Sequence, residues 1–168
     1  MVMKSLAKHF LTYSSGCFAI ASTTYCLLWL IMPGNYVFGV LYGMFLYHLQ
    51  YPFQYIALVS IVYGLLATSW SLGFGNLHGW QRFISIALVM LLTIVVSSVP
   101  GGVLWKIHDM QAGFFPQGTI LRNDLLWGAS TGLHMGWQII LLSIPFNIIG
   151  LIIGYIYTDK MQRRLSRQ

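Results

Sequence analysis

The chain has 168 residues, is 57% hydrophobic, and carries 7% charged residues with a net charge of +6. A soluble domain carries roughly 25% charged residues, so this chain lacks the polar surface for a water-facing shell and takes lipid as its solvent. Most of the basic residues gather at the chain ends and in one short loop, the pattern of cytoplasmic anchors and not of a nucleic-acid footprint.

A bilayer crossing takes about 20 mainly apolar residues. Four crossings, two short turns and one longer loop use the whole length as one membrane domain, 1–168. The expected fold is therefore an all-α integral membrane protein with four transmembrane helices and both termini cytoplasmic, in the cell (inner) membrane.

Span 1 is expected at 12–32. Lys4 and Lys8 precede it, as in a signal sequence, but the apolar run is too long for a cleaved one, so it reads as an uncleaved span. It ends at Pro33-Gly34-Asn35, a turn signal. Cys17 and Cys26 fall half a turn out of phase on this helix and cannot pair with each other. Both read as small buried thiols.

Span 2 is placed at 44–68. No charged residue occurs between Tyr36 and Leu72, so two readings stay open. One is a single helix kinked at Pro52; the other is a short re-entrant dip followed by a full helix. An even number of crossings keeps both basic ends inside and satisfies the positive-inside rule.

Span 3 is expected at 83–99, ending at Pro100-Gly101-Gly102. An outer loop, 101–135, follows, then span 4 at 136–157 and a basic cytoplasmic tail, 158–168. On this layout Lys4, Lys8, Arg82, Lys160, Arg163, Arg164 and Arg167 fall inside with Asp159. Lys106 and Arg122 fall outside, balanced by Asp109 and Asp124. The tryptophans agree: Trp29, Trp105, Trp127 and Trp137 near the outer boundary, Trp70 and Trp80 near the inner one.

The exit Pro33-Gly34 recurs as Pro100-Gly101, and Tyr51-Pro52-Phe53-Gln54 recurs as Ile144-Pro145-Phe146-Asn147. This suggests two duplicated helical hairpins. Gln54 and Asn147 would mark polar kinks, because a proline inside a helix frees a carbonyl that a nearby amide can satisfy. The functional reading of these kinks is a transporter-type site; the structural one is a capped helix break.

Small residues recur at every fourth position: Ser60, Gly64 and Thr68 on span 2, Gly150 and Gly154 on span 4, and Ser15, Ala19 and Thr23 on span 1. Helices in lipid associate by close backbone approach, so these faces are expected to pack within the bundle or in a homo-oligomer. The outer loop gathers Lys106, His108, Asp109, Arg122 and Asp124 among aromatic residues. It reads either as a recognition surface or as an ordered cap. Within it, Thr119 is placed to cap a short surface helix.

No catalytic signature is present: no nucleophile elbow, no phosphate loop, no paired carboxylates in the spans. The five histidines lack metal-ligand spacing, and no cofactor or metal is expected. The function read from this pattern is a non-enzymatic, oligomeric membrane subunit, a sensor or anchor. Its outer loop would be coupled to a cytoplasmic protein partner through the tail of Lys160, Arg163, Arg164 and Arg167. Antiviral (phage) defence and toxin-immunity proteins are built in this style, an analogy of architecture alone. The alternatives are a small channel or transporter subunit, with Gln54 and Asn147 lining the path, and a haem- or quinone-binding anchor using His48 and His134.

Overall fold

The structure is a computed structural model, described over residues 2–31, 50–114, 122–142 and 144–165. Several expectations lie outside the described residues: the turn at Pro33-Gly34, the segment 36–49 with His48, Thr119 and Arg167. The side chains of Lys4, Arg122, Pro145 and Phe146 also lie outside them.

Five α-helices follow one another: α1 (Val2–Ile31), α2 (Pro52–Phe74), α3 (Gly79–Gln111), α4 (Arg122–Leu142) and α5 (Ile144–Leu165), with no strand among the described residues. Three stretches are long and apolar enough to cross a membrane: Leu6–Ile31, Pro52–Phe74 and Gly79–Gln111. The outward faces of these helices are apolar, with Leu11, Leu30, Ile61, Leu65, Leu88 and Leu92 all exposed. In water that pattern would be a liability; against hydrocarbon it costs nothing.

Pro52 does not kink a helix. It sits in the first turn of α2, behind the N-cap Tyr51, where its missing N–H would have had no helical partner anyway. Pro145 likewise falls in the first turn of α5. Gln54 is thus a first-turn residue of α2 and not a kink residue inside a helix.

Pro100 behaves in the opposite way. A helix was expected to stop there, yet α3 continues through it to Gln111. A proline inside a helix removes one backbone hydrogen bond. Close by, the Ser98 and Ser97 hydroxyls donate to the carbonyls of Val95 at 2.7 Å and Ile94 at 3.2 Å. The expected outer loop, 101–135, therefore contains the last turns of α3 and the first two-thirds of α4, and the expected fourth span is described as the end of α4, to Leu142, and α5, from Ile144.

The reason α3 runs on is its seam with α4. A Cβ at Gly102 would overlap the carbonyl oxygen of Gly128 and the backbone of Gly132. A Cβ at Gly132 would overlap the Ser98 carbonyl, and one at Gly136 the Ser98 side chain. Gly128, Gly132 and Gly136 form one stripe on α4, and Ser98 and Gly102 form its counterpart on α3. The two backbones touch as only small residues allow.

At the opposite end the core is aromatic and polar. Tyr13, Tyr63, Ala67, Trp70, Ile86 and Val89 form the principal buried cluster. Gly64 admits α1, since a Cβ there would overlap the Ser14 hydroxyl. The last turns of α5 fit between α1, α2 and α3, and Tyr157 fills the space that a side chain at Gly16 would occupy.

Candidate functional site

Two buried polar clusters stand at opposite ends of α3. The first is built on His108, one of the expected outer-loop residues. It lies on the final turns of α3 and is only 4% exposed. Its Nε2 is 3.0 Å from Oε1 of Gln54, and its Nδ1 is 3.2 Å from the hydroxyl of Tyr55. An amide oxygen accepts only, so Nε2–H donates to Gln54 and Tyr55 O–H donates to Nδ1. That neutral tautomer satisfies all three groups at once. The Tyr51 ring lies over the imidazole at 4.5 Å, tilted by 30°, and the Tyr55 ring meets it edge-on at 5.8 Å.

Beside His108, Lys106 and Asp109 pair across one helical turn with Nζ to Oδ2 at 3.7 Å. Both side chains are buried. The ammonium sits 4.6 Å from the centre of the Trp127 ring and 5.3 Å from that of Trp105, a geometry in which the ring faces attract a cation. Trp127 belongs to α4, so the cage ties that helix to α3. The buried Trp105 Nε1–H finds no acceptor among the described residues.

The structure thus brings together the polar residue expected at a kink, Gln54, and three expected in a loop, Lys106, His108 and Asp109. Asp124 is half-buried in the first turn of α4, where a carboxylate faces the positive end of the helix dipole. Asn147 is elsewhere and does different work. Its Nδ2 donates to the carbonyls of Ile139 at 2.8 Å and Ile140 at 3.1 Å, tying the start of α5 to the last turns of α4. That is the structural role of an amide at a helix end. His134 is exposed on α4, with Nδ1 2.8 Å from the Ser130 carbonyl oxygen.

The second cluster joins α1, α2, α3 and α5. Arg82 Nε lies 2.6 Å from Asp159, and Arg163 Nε lies 2.9 Å from the other oxygen of the same carboxylate. Arg82 also stands over the Trp70 ring at 5.7 Å, while Trp70 Nε1 donates to Ser85 at 2.9 Å. Gln162 accepts from Ser71 and from Tyr13. The hydroxyls of Tyr63 and Thr158 lie 2.7 Å apart, and Tyr157 donates to the Thr12 carbonyl at 2.6 Å. Part of the expected tail is therefore packed structure: α5 continues to Leu165 and Gln162 is buried, while Lys160, Arg163 and Arg164 stay exposed.

The stripes expected to pack divide. Ser60 and Gly64 are buried against neighbours, and Gly154 is buried against Met90. Gly150 has nothing within 4 Å of where a Cβ would stand. The stripe that joins α3 to α4 was missed, although Gly128, Gly132 and Gly136 are visibly four apart. Assigning 101–135 to a loop hid it.

Between α1, α2, α3 and α5 lies an apolar cleft of about 630 Å3, bounded by residues such as Ala21, Tyr55, Ile94, Ile148, Gly150 and Tyr157. Gly136 on α4 meets Val95, and Gly154 on α5 meets Met90, so both helices touch α3 beside the cleft. Comparison with protein families, curated proteins and solved structures finds no match to this chain.

Proposed function

We propose that this chain is a non-enzymatic, multi-pass subunit of the inner membrane. Four crossings, the last made by α4 and α5 together, leave both ends in the cytoplasm. Its task on this reading is to couple the outer-face cluster around His108 to a cytoplasmic protein partner through the basic end of α5, as a sensor or anchor does.

The observation that carries the reading is α3 itself. One unbroken helix holds Arg82 near one end and Lys106, His108 and Asp109 near the other. The rise from Arg82 to Lys106 is about 36 Å, more than the roughly 30 Å of the hydrocarbon core. Each polar cluster then meets a head-group layer, and a rigid rod joins them. A shift at the His108 end passes to Arg82, and from Arg82 through Asp159 to Arg163.

The channel reading gains less from this geometry. Gln54 is engaged with His108 and Asn147 with α4 carbonyls. The cleft offers an ion almost no oxygen to replace its hydration shell.

The test uses Lys160→Gln, Arg163→Gln, Arg164→Gln and Arg167→Gln together in the full chain. Lys4, Lys8 and Arg82 remain to hold the inside, so insertion is expected to survive. A soluble protein captured by the wild type in a pull-down is expected to be released by the variant. A wild type that captures none, or a variant that keeps the same partner, removes this reading.

A further inference from the structure

The outward face of α5 changes chemistry once, along its axis. Ile149, Ile152, Ile153 and Ile156 lie on one exposed stripe, spaced three and four apart. Further along, the same spacing returns as Lys160, Arg163 and Arg164, and continues in the sequence to Arg167. The eleven residues between the two sets turn a helix by about 1,100°, only about 20° past three full turns. The basic residues therefore continue the isoleucine stripe, and Lys160, Arg163 and Arg164 are exposed as the isoleucines are. The opposite side of the same turns is packed, with Thr158 and Gln162 buried.

The charges on this stripe are not balanced within α5. Asp159 is its one acid, and it already holds Arg82 and Arg163. Lys160 and Arg164 form no ion pair among the described residues. Like charges four apart on a helix repel, so the stripe favours an anion. Trp80 marks the level independently. It lies in the first turn of α3, is 70% exposed, and stacks on Phe83 at 5.1 Å. Phe83 in turn meets Tyr155 at 5.4 Å, which brings the indole to the stretch of α5 where isoleucine gives way to lysine. An exposed indole prefers the head-group layer.

We infer that the exposed face of α5 is a site for one anionic phospholipid of the cytoplasmic leaflet, with an acyl chain on the isoleucines and the phosphate at Lys160, Arg163 and Arg164. Charge and register together select the occupant. It must offer hydrocarbon to Ile156 and a negative head group one turn, about 6 Å, further on. An acidic soluble protein answers the charges and not the isoleucines; a neutral lipid answers the isoleucines and not the charges. The inference rests on the reading of α5 as part of a crossing with its basic end inside. It does not need the cytoplasmic partner, which would have to displace this lipid to take the same charges.

The full chain is assembled in nanodiscs of palmitoyl-oleoyl phosphatidylcholine and phosphatidylglycerol in equal parts, moved to mild detergent and weighed by native mass spectrometry. One retained phosphatidylglycerol per chain is expected. Lys160→Gln with Arg164→Gln is expected to lower its retention by about tenfold or more, since each basic residue near an anionic surface adds about fivefold. Lys160→Arg with Arg164→Lys keeps both charges and is expected to keep the lipid. Lys4→Gln with Lys8→Gln removes the same charge from α1 and is also expected to keep it. Glycerol phosphate, which has the head-group charge without acyl chains, is expected not to displace it.

The inference is overturned by a wild type that retains no phosphatidylglycerol or retains phosphatidylcholine equally, or by undiminished retention in the Lys160→Gln, Arg164→Gln pair. Equal loss in the charge-conserving pair or in the α1 pair overturns it too, as does displacement by glycerol phosphate. Resistance of the wild type to alkaline carbonate extraction is measured in parallel. Absence of the lipid from a chain that resists carbonate defeats only this site, whereas release by carbonate defeats the membrane reading beneath it. A wild type that holds the lipid but captures no soluble protein supports the site and defeats only the partner reading.

Discussion

Gly132 on α4 lies so close to the carbonyl oxygen of Ser98 on α3 that no side chain fits between them. The atom in the way is backbone, which has no rotamer to yield. Gly132→Leu is therefore expected to lower stability by about 1–3 kcal/mol or more, the range for overpacking. Gly150→Leu, with open space beside it, is expected to change it by less than about 0.5 kcal/mol. Unfolding in mixed detergent by added dodecyl sulfate compares the two. Equal losses would mean that the α3–α4 seam is not the close contact described.

Asp159 holds two arginines of different standing. The Arg82 side chain is 13% exposed and that of Arg163 is 67% exposed. Removing the shared carboxylate leaves Arg82 buried without its counter-ion, which typically costs about 3–5 kcal/mol. Arg163→Gln removes a surface pair, worth about 0–1 kcal/mol. Asp159→Asn is thus expected to be the severe change and Arg163→Gln the mild one. Detergent melting curves of the two variants decide it.

His108, Gln54 and Tyr55 form one chain of hydrogen bonds, so their substitutions are expected to be non-additive. His108→Ala removes two hydrogen bonds, those to the exposed Gln54 amide and the half-buried Tyr55 hydroxyl, at about 0.5–1.5 kcal/mol each. Gln54→Leu removes the bond from the buried His108 Nε2–H, at about 0.5–1.5 kcal/mol. The double variant is expected to cost less than the sum by about 0.5–3 kcal/mol. Strict additivity would mean that the Gln54–His108 contact carries no energy.

The proposed four crossings with both ends inside make a direct topological prediction. Reporter fusions at the C-terminal end and at Asn76 are expected to read cytoplasmic, and a fusion near Gln117 to read exterior. An exterior C-terminal end would require an odd number of crossings, and the α4–α5 pair could not then act as one.

Asn147→Leu probes the tie between α4 and α5. It removes both bonds to the Ile139 and Ile140 carbonyls, leaving those groups open in an apolar setting. The expected cost is about 1–3 kcal/mol, with faster amide hydrogen exchange confined to residues around 139–150. Exchange unchanged there would show that the amide does not secure that tie.

Composition alone decided the solvent. So few charges over 168 residues cannot make a water-facing surface, and the long apolar runs could only become helices that pair their own backbone groups. The spacing of Gly128, Gly132 and Gly136 is local too, but it gains meaning only once 122–142 is a helix, and the segment reads as loop from sequence.

Proline was not legible in the same way. Its fixed φ and missing N–H suit a first turn, a turn between helices or a tolerated interior position. The choice depends on what lies opposite. At Pro100 the opposing backbone of α4 rewards a helix that continues; Pro52 opens a helix. Gln54 and His108 stand far apart in the chain, and only the antiparallel packing of α2 on α3 brings them to 3.0 Å. The cleft belongs wholly to the tertiary structure. It is lined by residues from α1, α2, α3 and α5 that stand far apart in the chain, which no local pattern of residues records.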